Sequence, residues 1–346
     1  MVRPRHVRAS SSRSVKRFSA WSPKGSGLPE KRRSFRGPPF FIVPARMERH
    51  MKPMIKATVL TLLVLVAAIG LWFWSKTDPQ KLDLVDRIAP GASEYQGKAT
   101  VGIAYGPDER QKLDVYVPAE AAEKPYPVLL FFHGGAWRDG EREGYGFLGR
   151  AFASRGIVTV VADYRKAPKV RFPAFVEDTA SAVAWVQKNI GQYRGDADRM
   201  YLMGHSAGAH IAMMAALDPQ WLASKNLDST SIKGVIGLAG PYDFLPLTTD
   251  SSKVALGQWP DLDETQPINY ARADAPPLLL LTGDTDTVVK PRNSKVLAAR
   301  MAELGGMARL KIYPKVDHAD IIMAIARPFR SKAPVLSDSI AFIKGQ

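Results

Sequence analysis

The feature that most restricts the fold of this chain is a series of short apolar runs between helix-length segments, from about Ala99 onward. Helix-length segments lie at 145–155, 174–190, 206–216, 292–305 and 334–344. Two alternating stretches, ATVGIAY and KLDVYV, flank GPDERQ and predict an initial hairpin. Strands alternating with helices predict an α/β fold, with a mostly parallel twisted sheet of about eight strands and helices on both faces. The apolar runs are VLLFF (128–132), IVTVVA (157–162), MYLMG (200–204), GVIGLAG (234–240), PLLLLTG (277–283) and RLKIYP (309–314).

A serine motif follows one of these runs. In parallel sheets ligands bind beyond the carboxyl ends of the strands, so the residues after each run are candidates for a site. After MYLM comes GHSAG, residues 204–208, between a predicted strand and a predicted helix. The pattern G-x-S-x-G permits a sharp turn that exposes the serine. We predict Ser206 as a catalytic nucleophile; the alternative is a structural serine in a tight turn.

A serine nucleophile needs a base, and the base needs an orienting carboxylate. Of the six histidines, only His318 lies in a loop after a late strand, and we predict it as the base. His6 and His50 lie upstream of the domain, and His133 lies in a glycine loop. His205 is next to the serine, and His210 lies within the predicted helix that follows.

The orienting acid is expected after the preceding strand, in the sequence PPLLLLTGDTDTVV. Asp284 follows the strand directly and suits a turn, whereas Asp286 lies deeper in the loop, so we favour Asp286. Asp317 and Asp320 are weaker rivals. The order Ser206, Asp286, His318 along the chain is that of α/β-hydrolases.

The sequence LLFFHGGAWRDG, residues 129–140, leads from a buried strand directly into two glycines. Attack by serine on a carbonyl forms an oxyanion, which needs preorganised N–H donors. We predict that Gly134, Gly135 and Ala207 supply them, and that His133 holds the loop in place.

These motifs resemble the α/β-hydrolase esterases of the hormone-sensitive-lipase and carboxylesterase type, in particular a branch with feruloyl-esterase-like and kynurenine-formamidase-like enzymes. The resemblance covers 99–345 and rests on HGGAW (133–137), LDVYVP (113–118), DYR (163–165) and the three predicted catalytic residues. The family's DYR-L-A-P is here DYR-K-A-P, with a departure at Lys166. The resemblance implies the α/β-hydrolase fold and hydrolysis through an acyl-enzyme, without a metal or cofactor.

A membrane helix is predicted before the domain. Residues 57–75 contain no charge and would span about 28 Å at roughly 1.5 Å per residue. Lys52 and Lys56 precede them, and bulky Trp72 and Trp74 occupy the place of a small-residue cleavage site. We predict a single-pass signal anchor with the catalytic domain on the trans side, periplasmic in a bacterium. A cleaved signal peptide with a secreted product and a buried core helix are the alternatives.

The predicted organisation is a basic disordered arm (1–52), a transmembrane helix (53–75), a linker or short cap segment (76–98) and a catalytic domain (99–346). Residues 1–56 carry 13 of the 15 net positive charges, so a nucleic-acid-binding body is not expected. Met47, Met51 and Met54 are alternative starts to Met1. The chain has no cysteine, which suits an oxidising compartment without requiring one.

The predicted activity is hydrolysis of small-molecule esters with short to medium acyl chains. Residues 241–276 and the short segment before the first strand offer no plausible large apolar lid. Trp137, Phe244 and Trp259 are predicted to wall a compact pocket. An amidase, arylformamidase or peptidase using the same triad is the alternative, and a non-enzymatic interaction module is disfavoured. The oligomeric state is left open.

Overall fold

The computed structural model describes residues 45–345. The chain divides into two compact units, Met1–Val64 and Leu65–Gln346, and the sheet lies wholly in the second. The predicted basic arm falls mostly outside the described residues. The helix that was expected from residue 53 already includes residues 45–52.

Eight strands form one sheet in the order β1-β2-β4-β3-β5-β6-β7-β8. Strands β1, β2 and β4 pair antiparallel, and β4, β3 and β5 to β8 pair in parallel. The predicted hairpin and the mostly parallel eight-stranded sheet are thereby confirmed. The strands are β1 Lys98–Ala104, β2 Lys112–Val117, β3 Tyr126–Phe132, β4 Val158–Ala162, β5 Gly195–His205, β6 Gly234–Leu238, β7 Leu278–Gly283 and β8 Ala308–Tyr313.

Helices cover both faces of the sheet. Side chains along a strand alternate between faces, so Leu130 belongs to a core with α4, α5 and α8, whereas Phe131 belongs to a core with α3, α9 and α10. The helices are α1 Ala45–Trp74, α2 Asp78–Ile88, α3 Gly146–Ala153, α4 Ala174–Asn189, α5 Ala207–Leu217, α6 Pro219–Ala223, α7 Asp250–Leu256, α8 Arg292–Glu303, α9 Asp320–Met323 and α10 Val335–Lys344. Short 3₁₀ turns include Arg142–Tyr145, Leu262–Thr265, Pro267–Tyr270 and Arg327–Phe329.

The segment before the sheet forms a helix that is tied to the catalytic unit by buried ion pairs. Asp83 and Asp86 of α2 are 4% and 1% exposed, and each accepts a 2.8 Å hydrogen bond from Arg150 Nη2. Arg327 Nη1 lies 2.7 Å from the same Asp86 carboxylate. Residues 76–98, which were expected to contribute little as a cap, thus contain a helix that is held against the catalytic unit by these ion pairs.

One described helix is long and apolar enough to cross a membrane. Its span is Ala57–Trp74, 18 residues with a mean hydropathy of 2.3. Its large side chains, such as Leu60, Leu63 and Val66, are exposed, unlike those of a core helix. A signal sequence near the N-terminus also meets these criteria of length and hydropathy.

Candidate active site

Ser206 lies at the sharp turn between β5 and α5, with φ 54° and ψ −121°. Both glycines of the motif are required by close backbone approach. A Cβ on Gly204 would lie 2.2 Å from the Gly208 oxygen, and one on Gly208 would lie 2.1 Å from the Phe132 oxygen. The turn thus packs directly against the end of β3, where the glycine loop begins.

Asp286 and His318 are joined by a hydrogen bond of 2.8 Å between the carboxylate Oδ2 and Nδ1 of the ring. The other oxygen, Oδ1, accepts from the backbone N–H groups of Val288 at 2.9 Å and Val289 at 2.8 Å. These donors fix the carboxylate, whose side chain is fully buried, while that of His318 is 17% exposed. The arrangement orients the imidazole, and among the described residues no hydrogen-bond partner contacts its Nε2.

The rival carboxylates have other partners. Asp284 accepts from the Lys315 backbone N–H at 2.6 Å. Asp317 accepts from the N–H groups of Ala319 and Asp320, at 3.0 and 2.8 Å, and so caps α9, while Asp320 pairs with Lys332 at 2.6 Å. The hydrogen bonds of Asp284 and Asp317 and the ion pair of Asp320 thus account for these three carboxylates as local structural groups.

His205 links the serine turn to the histidine loop. Its Nε2 lies 3.0 Å from the backbone oxygen of His318, and the two rings are 4.9 Å apart. Burial lowers the pKa of His205 to about 3. His205 therefore stays neutral and acts as a positioning group. Within residues 45–345, no hydrogen bond joins the Ser206 hydroxyl to another group, and such contacts often tighten only when substrate binds.

The glycine loop lies against the serine. A Cβ on Gly134 would stand 3.2 Å from Ser206 Cβ. Gly135 has φ +124°, and a Cβ there would meet the Asp139 oxygen at 2.1 Å, so only glycine fits. The N–H groups of Gly134 and Gly135 donate to no acceptor among the described residues, and Ala207 opens α5, where N–H groups are unpaired within the helix. The glycine loop and the start of α5 thus contain three backbone N–H groups without an acceptor among the described residues.

A buried network holds this loop. His133 is fully buried, with Nε2 2.9 Å from Asp163 Oδ1. Lys166 Nζ lies 2.5 Å from both Asp163 Oδ1 and the Gly140 carbonyl oxygen. Burial alone would raise the pKa of Asp163, but His133 and Lys166 outweigh it and hold that pKa well below its usual range.

The role of His133 in tying down the loop was expected, but the contributions of Asp163 and Lys166 were not. The only signal in the sequence was the DYR-K-A-P segment, in which Lys166 replaces the leucine of the family pattern.

A small pocket of about 160 Å³ is lined by Ser206, Ala207, Trp137 and Phe244, and also by the polar residues Thr249 and Ser251. The rings of Trp137 and Phe244 stack at 5.9 Å. Trp137 Nε1 donates to His210 Nδ1 at 3.2 Å, while His210 Nε2 lies 2.8 Å from the Thr265 oxygen, so His210 supports the pocket wall.

The prediction that Trp259 walls this pocket is corrected by its position. Its ring packs edge-on against Phe172 at 5.0 Å, its Nε1 donates to Glu264 at 2.7 Å, and it is not among the lining residues. Its aromatic surface is used in packing.

Among residues 45–345, no three His, Asp or Glu side chains are grouped to hold a metal ion.

Comparisons with known proteins relate this chain to esterases. The chain is 32% identical over 243 residues to a probable isoprenylcysteine alpha-carbonyl methylesterase of Arabidopsis thaliana, covering 64% of this chain and 51% of the relative. It is 29% identical over 250 residues to a kynurenine formamidase of Salmo salar, covering 69% and 81%. The chain spans between 51% and 58% of the length of three curated relatives.

Solved structures share the fold. Thermogutta terrifontis esterase 2, phosphonylated by sarin, superposes with a TM-score of 0.63 at 22% identity, covering 72% of this chain and 95% of that structure. The sequence model of the BD-FAE family matches residues 113–301, which is more than half of the chain and reaches from β2 into α8. The chain therefore belongs to the BD-FAE family of esterases with the α/β-hydrolase fold.

Proposed function

We propose that this chain is a serine esterase that hydrolyses carboxylic esters through an acyl-enzyme. Ser206 Oγ attacks the ester carbonyl carbon, while Nε2 of His318 accepts the hydroxyl proton. The resulting oxyanion accepts hydrogen bonds from Gly134, Gly135 and Ala207. His318 then gives its proton to the leaving alcohol oxygen as the carbon–oxygen bond breaks. Water, deprotonated by the same ring, then attacks the acyl carbon. The bond from that carbon to Ser206 Oγ breaks, His318 returns the proton to Oγ, and the acid is released.

The observation that carries the proposal is the 2.8 Å bond between Asp286 and His318. The His318 ring lies 4.9 Å from that of His205, the residue that precedes Ser206 in the strained turn. A serine activated in this way reacts with a fluorophosphonate, whereas a structural serine does not. The test is labelling of the full chain with a fluorophosphonate probe, read by mass spectrometry. Labelling at Ser206 supports the proposal, and an unlabelled, folded chain contradicts it and favours an interaction module.

The acyl group is proposed to be short. In the acyl-enzyme the acyl carbon is bonded to Ser206, so the chain must fit the pocket of about 160 Å³ that Ser206 lines. Apolar groups gain binding energy only while there is apolar wall to contact. In a p-nitrophenyl ester series from acetate to palmitate, kcat/KM should peak at about two to six acyl carbons. A maximum at palmitate would exclude this pocket as the acyl site.

Amide cleavage is the second candidate, because the matched relative in Salmo salar is a kynurenine formamidase. The same triad and donors cleave amides. Comparing phenyl acetate with formanilide and acetanilide at equal concentration separates the two. Faster turnover of formanilide than of the ester would make the chain a formamidase.

We further propose that Ala57–Trp74 anchors the enzyme in a membrane as a single span, with residues 76–346 on the trans side. The length, the hydropathy of 2.3 and the exposed apolar side chains support this. The organisation predicted from the sequence, with an arm, an anchor, a short cap segment and a catalytic domain, is kept as part of this proposal. Cleavage near residue 75 would replace the anchor with a secreted product.

A further inference from the structure

A second, larger cavity of about 500 Å³ adjoins His318 on the side of α2. Its wall is almost entirely apolar. Helix α2 contributes one side, and the start of α3, helix α9 and the turn after it contribute the other. The apolar lining residues include Pro79, Leu82, Val85, Phe147, Ile322 and Phe329. The polar lining residues are His205 and His318 together with the ion pair of Asp78 and Lys81. A cavity of this size lies within the range of small-molecule sites.

The cavity wall is preformed. Asp83 and Asp86 bind the buried Arg150 from the face of α2 opposite solvent, and Arg327 adds a second cation at Asp86. The 3₁₀ turn Arg142–Tyr145 packs closely on the start of α2, since a Cβ on Gly144 would lie 2.6 Å from Pro79 Cβ. The binding of an apolar group here requires little ordering of α2.

The two cavities correspond to the two halves of an ester. The acyl half becomes bonded to Ser206, which lines the smaller pocket and not the larger cavity. The alcohol half leaves with the proton that His318 delivers, so its oxygen must face this ring. His318 lines the larger cavity. A group attached to that oxygen is therefore directed towards α2.

We propose that the cavity between α2, α3 and α9 binds the alcohol half of the substrate, and that the enzyme acts on short-chain acyl esters of long or bulky apolar alcohols. The two charged lining residues, Asp78 and Lys81, pair with each other at 3.1 Å. The rest of the wall is mostly apolar and selects a hydrocarbon group over a sugar. The proposal rests on the serine-esterase function proposed above and deepens it.

The test compares isomeric esters, whose overall hydrophobicity is matched: hexyl acetate with ethyl hexanoate, and butyl acetate with ethyl butyrate. The full chain in nanodiscs is assayed by acid release. The proposal expects kcat/KM for hexyl acetate to exceed that for ethyl hexanoate by at least about tenfold. The value of kcat/KM should also rise from ethyl to butyl to hexyl acetate. The expected increase is up to about fourfold for each buried CH₂, which corresponds to about 0.8 kcal/mol.

Two variants of α2 locate the effect. Val85→Phe narrows the cavity and should lower the ratio of hexyl acetate to ethyl acetate turnover by about tenfold. Ile88→Phe adds the same aromatic ring on the same helix at a position that is 84% exposed and outside the cavity, and it should leave the ratio unchanged.

The outcomes separate this proposal from the esterase proposal. Preference for ethyl hexanoate would show that the cavity binds the acyl half, and equal rates would show that it binds neither; each overturns the proposal while leaving an esterase. Hydrolysis of no ester, together with absence of fluorophosphonate labelling, would overturn both. An unchanged ratio in Val85→Phe would place the alcohol elsewhere.

Discussion

Asp286 and His318 lie 32 residues apart in the chain, yet their side chains meet at 2.8 Å. The contact forms because β7 and β8 are parallel neighbours, so the loops that follow them emerge at the same edge of the sheet. The Asp286 carboxylate is fixed further by two backbone donors, whereas the Asp284 carboxylate in the same loop accepts from the Lys315 backbone N–H. This difference between two nearby carboxylates leads to a direct test.

Asp286→Asn should lower kcat by at least about a thousandfold, because an amide cannot hold the His318 ring in the orientation and tautomer that the base requires. The matched variant Asp284→Asn should change kcat by less than about twofold, because it retains an acceptor oxygen for Lys315. Steady-state kinetics on phenyl acetate measure both. Should Asp284→Asn be the inactive variant, Asp284 is the orienting acid.

Ser206→Ala should abolish hydrolysis and probe labelling while leaving the melting temperature within about 2 °C, because the hydroxyl makes no hydrogen bond that the fold needs. Ser337→Ala, at an exposed site, serves as the control for expression and assay. Residual turnover above about a thousandth of the wild-type rate would argue against Ser206 as the nucleophile.

Arg150→Met should lower the free energy of unfolding by about 3 kcal/mol, because Asp83 and Asp86 stay buried after losing a shared cation. Arg155→Met removes an arginine that is 43% exposed and pairs with Glu94, and it should cost less than about 1 kcal/mol. Urea unfolding measures both. Equal losses would show that the buried pairs do not hold α2 in place.

Stability should fall in mild acid through two buried histidines. Burial lowers the pKa of His210 to about 4 and that of His205 to about 3, whereas unfolded histidine titrates near 6.5. Below about pH 6.5 the unfolded chain therefore binds more protons, so stability is present above that pH and is lost as the pH falls towards the folded values. Each histidine contributes up to about 1.4 kcal/mol per pH unit.

His210→Gln should remove one of these two contributions between about pH 4.5 and 6 and so reduce the slope of unfolding free energy against pH. The slope, rather than the absolute stability, is the readout, because glutamine also changes the contacts with Trp137 and Thr265. An unchanged slope would mean that His210 is protonated in the folded chain.

The enzyme should fractionate with membranes, and deletion of residues 57–74 should release it. Externally added protease should digest residues 76–346 in spheroplasts of a bacterial host, because the basic N-terminal side is expected to stay in the cytoplasm. Protection of the domain until the membrane is lysed would reverse the orientation. A soluble product that begins near residue 75 would show cleavage instead.

The strands, most helices and the serine turn could be predicted from the sequence because their signals are local. Apolar runs such as VLLFF fit a strand buried on both faces, and GHSAG between a strand and a helix contains the two glycines that close backbone contact requires. The candidate positions of Ser206, Asp286 and His318 follow from the same reasoning, since each lies just after a strand of a parallel sheet.

Only the tertiary structure determined the contacts between residues that lie far apart in the sequence. The ion pair between Asp86 and Arg327 joins positions 241 residues apart and turns the presumed linker into a cavity wall. Lys166 reaches the carbonyl of Gly140, and Trp259 packs on Phe172 rather than in the pocket. The hydrophobic periodicity of a helix or strand predicts which of its faces is buried. The residues that this face contacts are determined by packing and charge pairing in the folded chain.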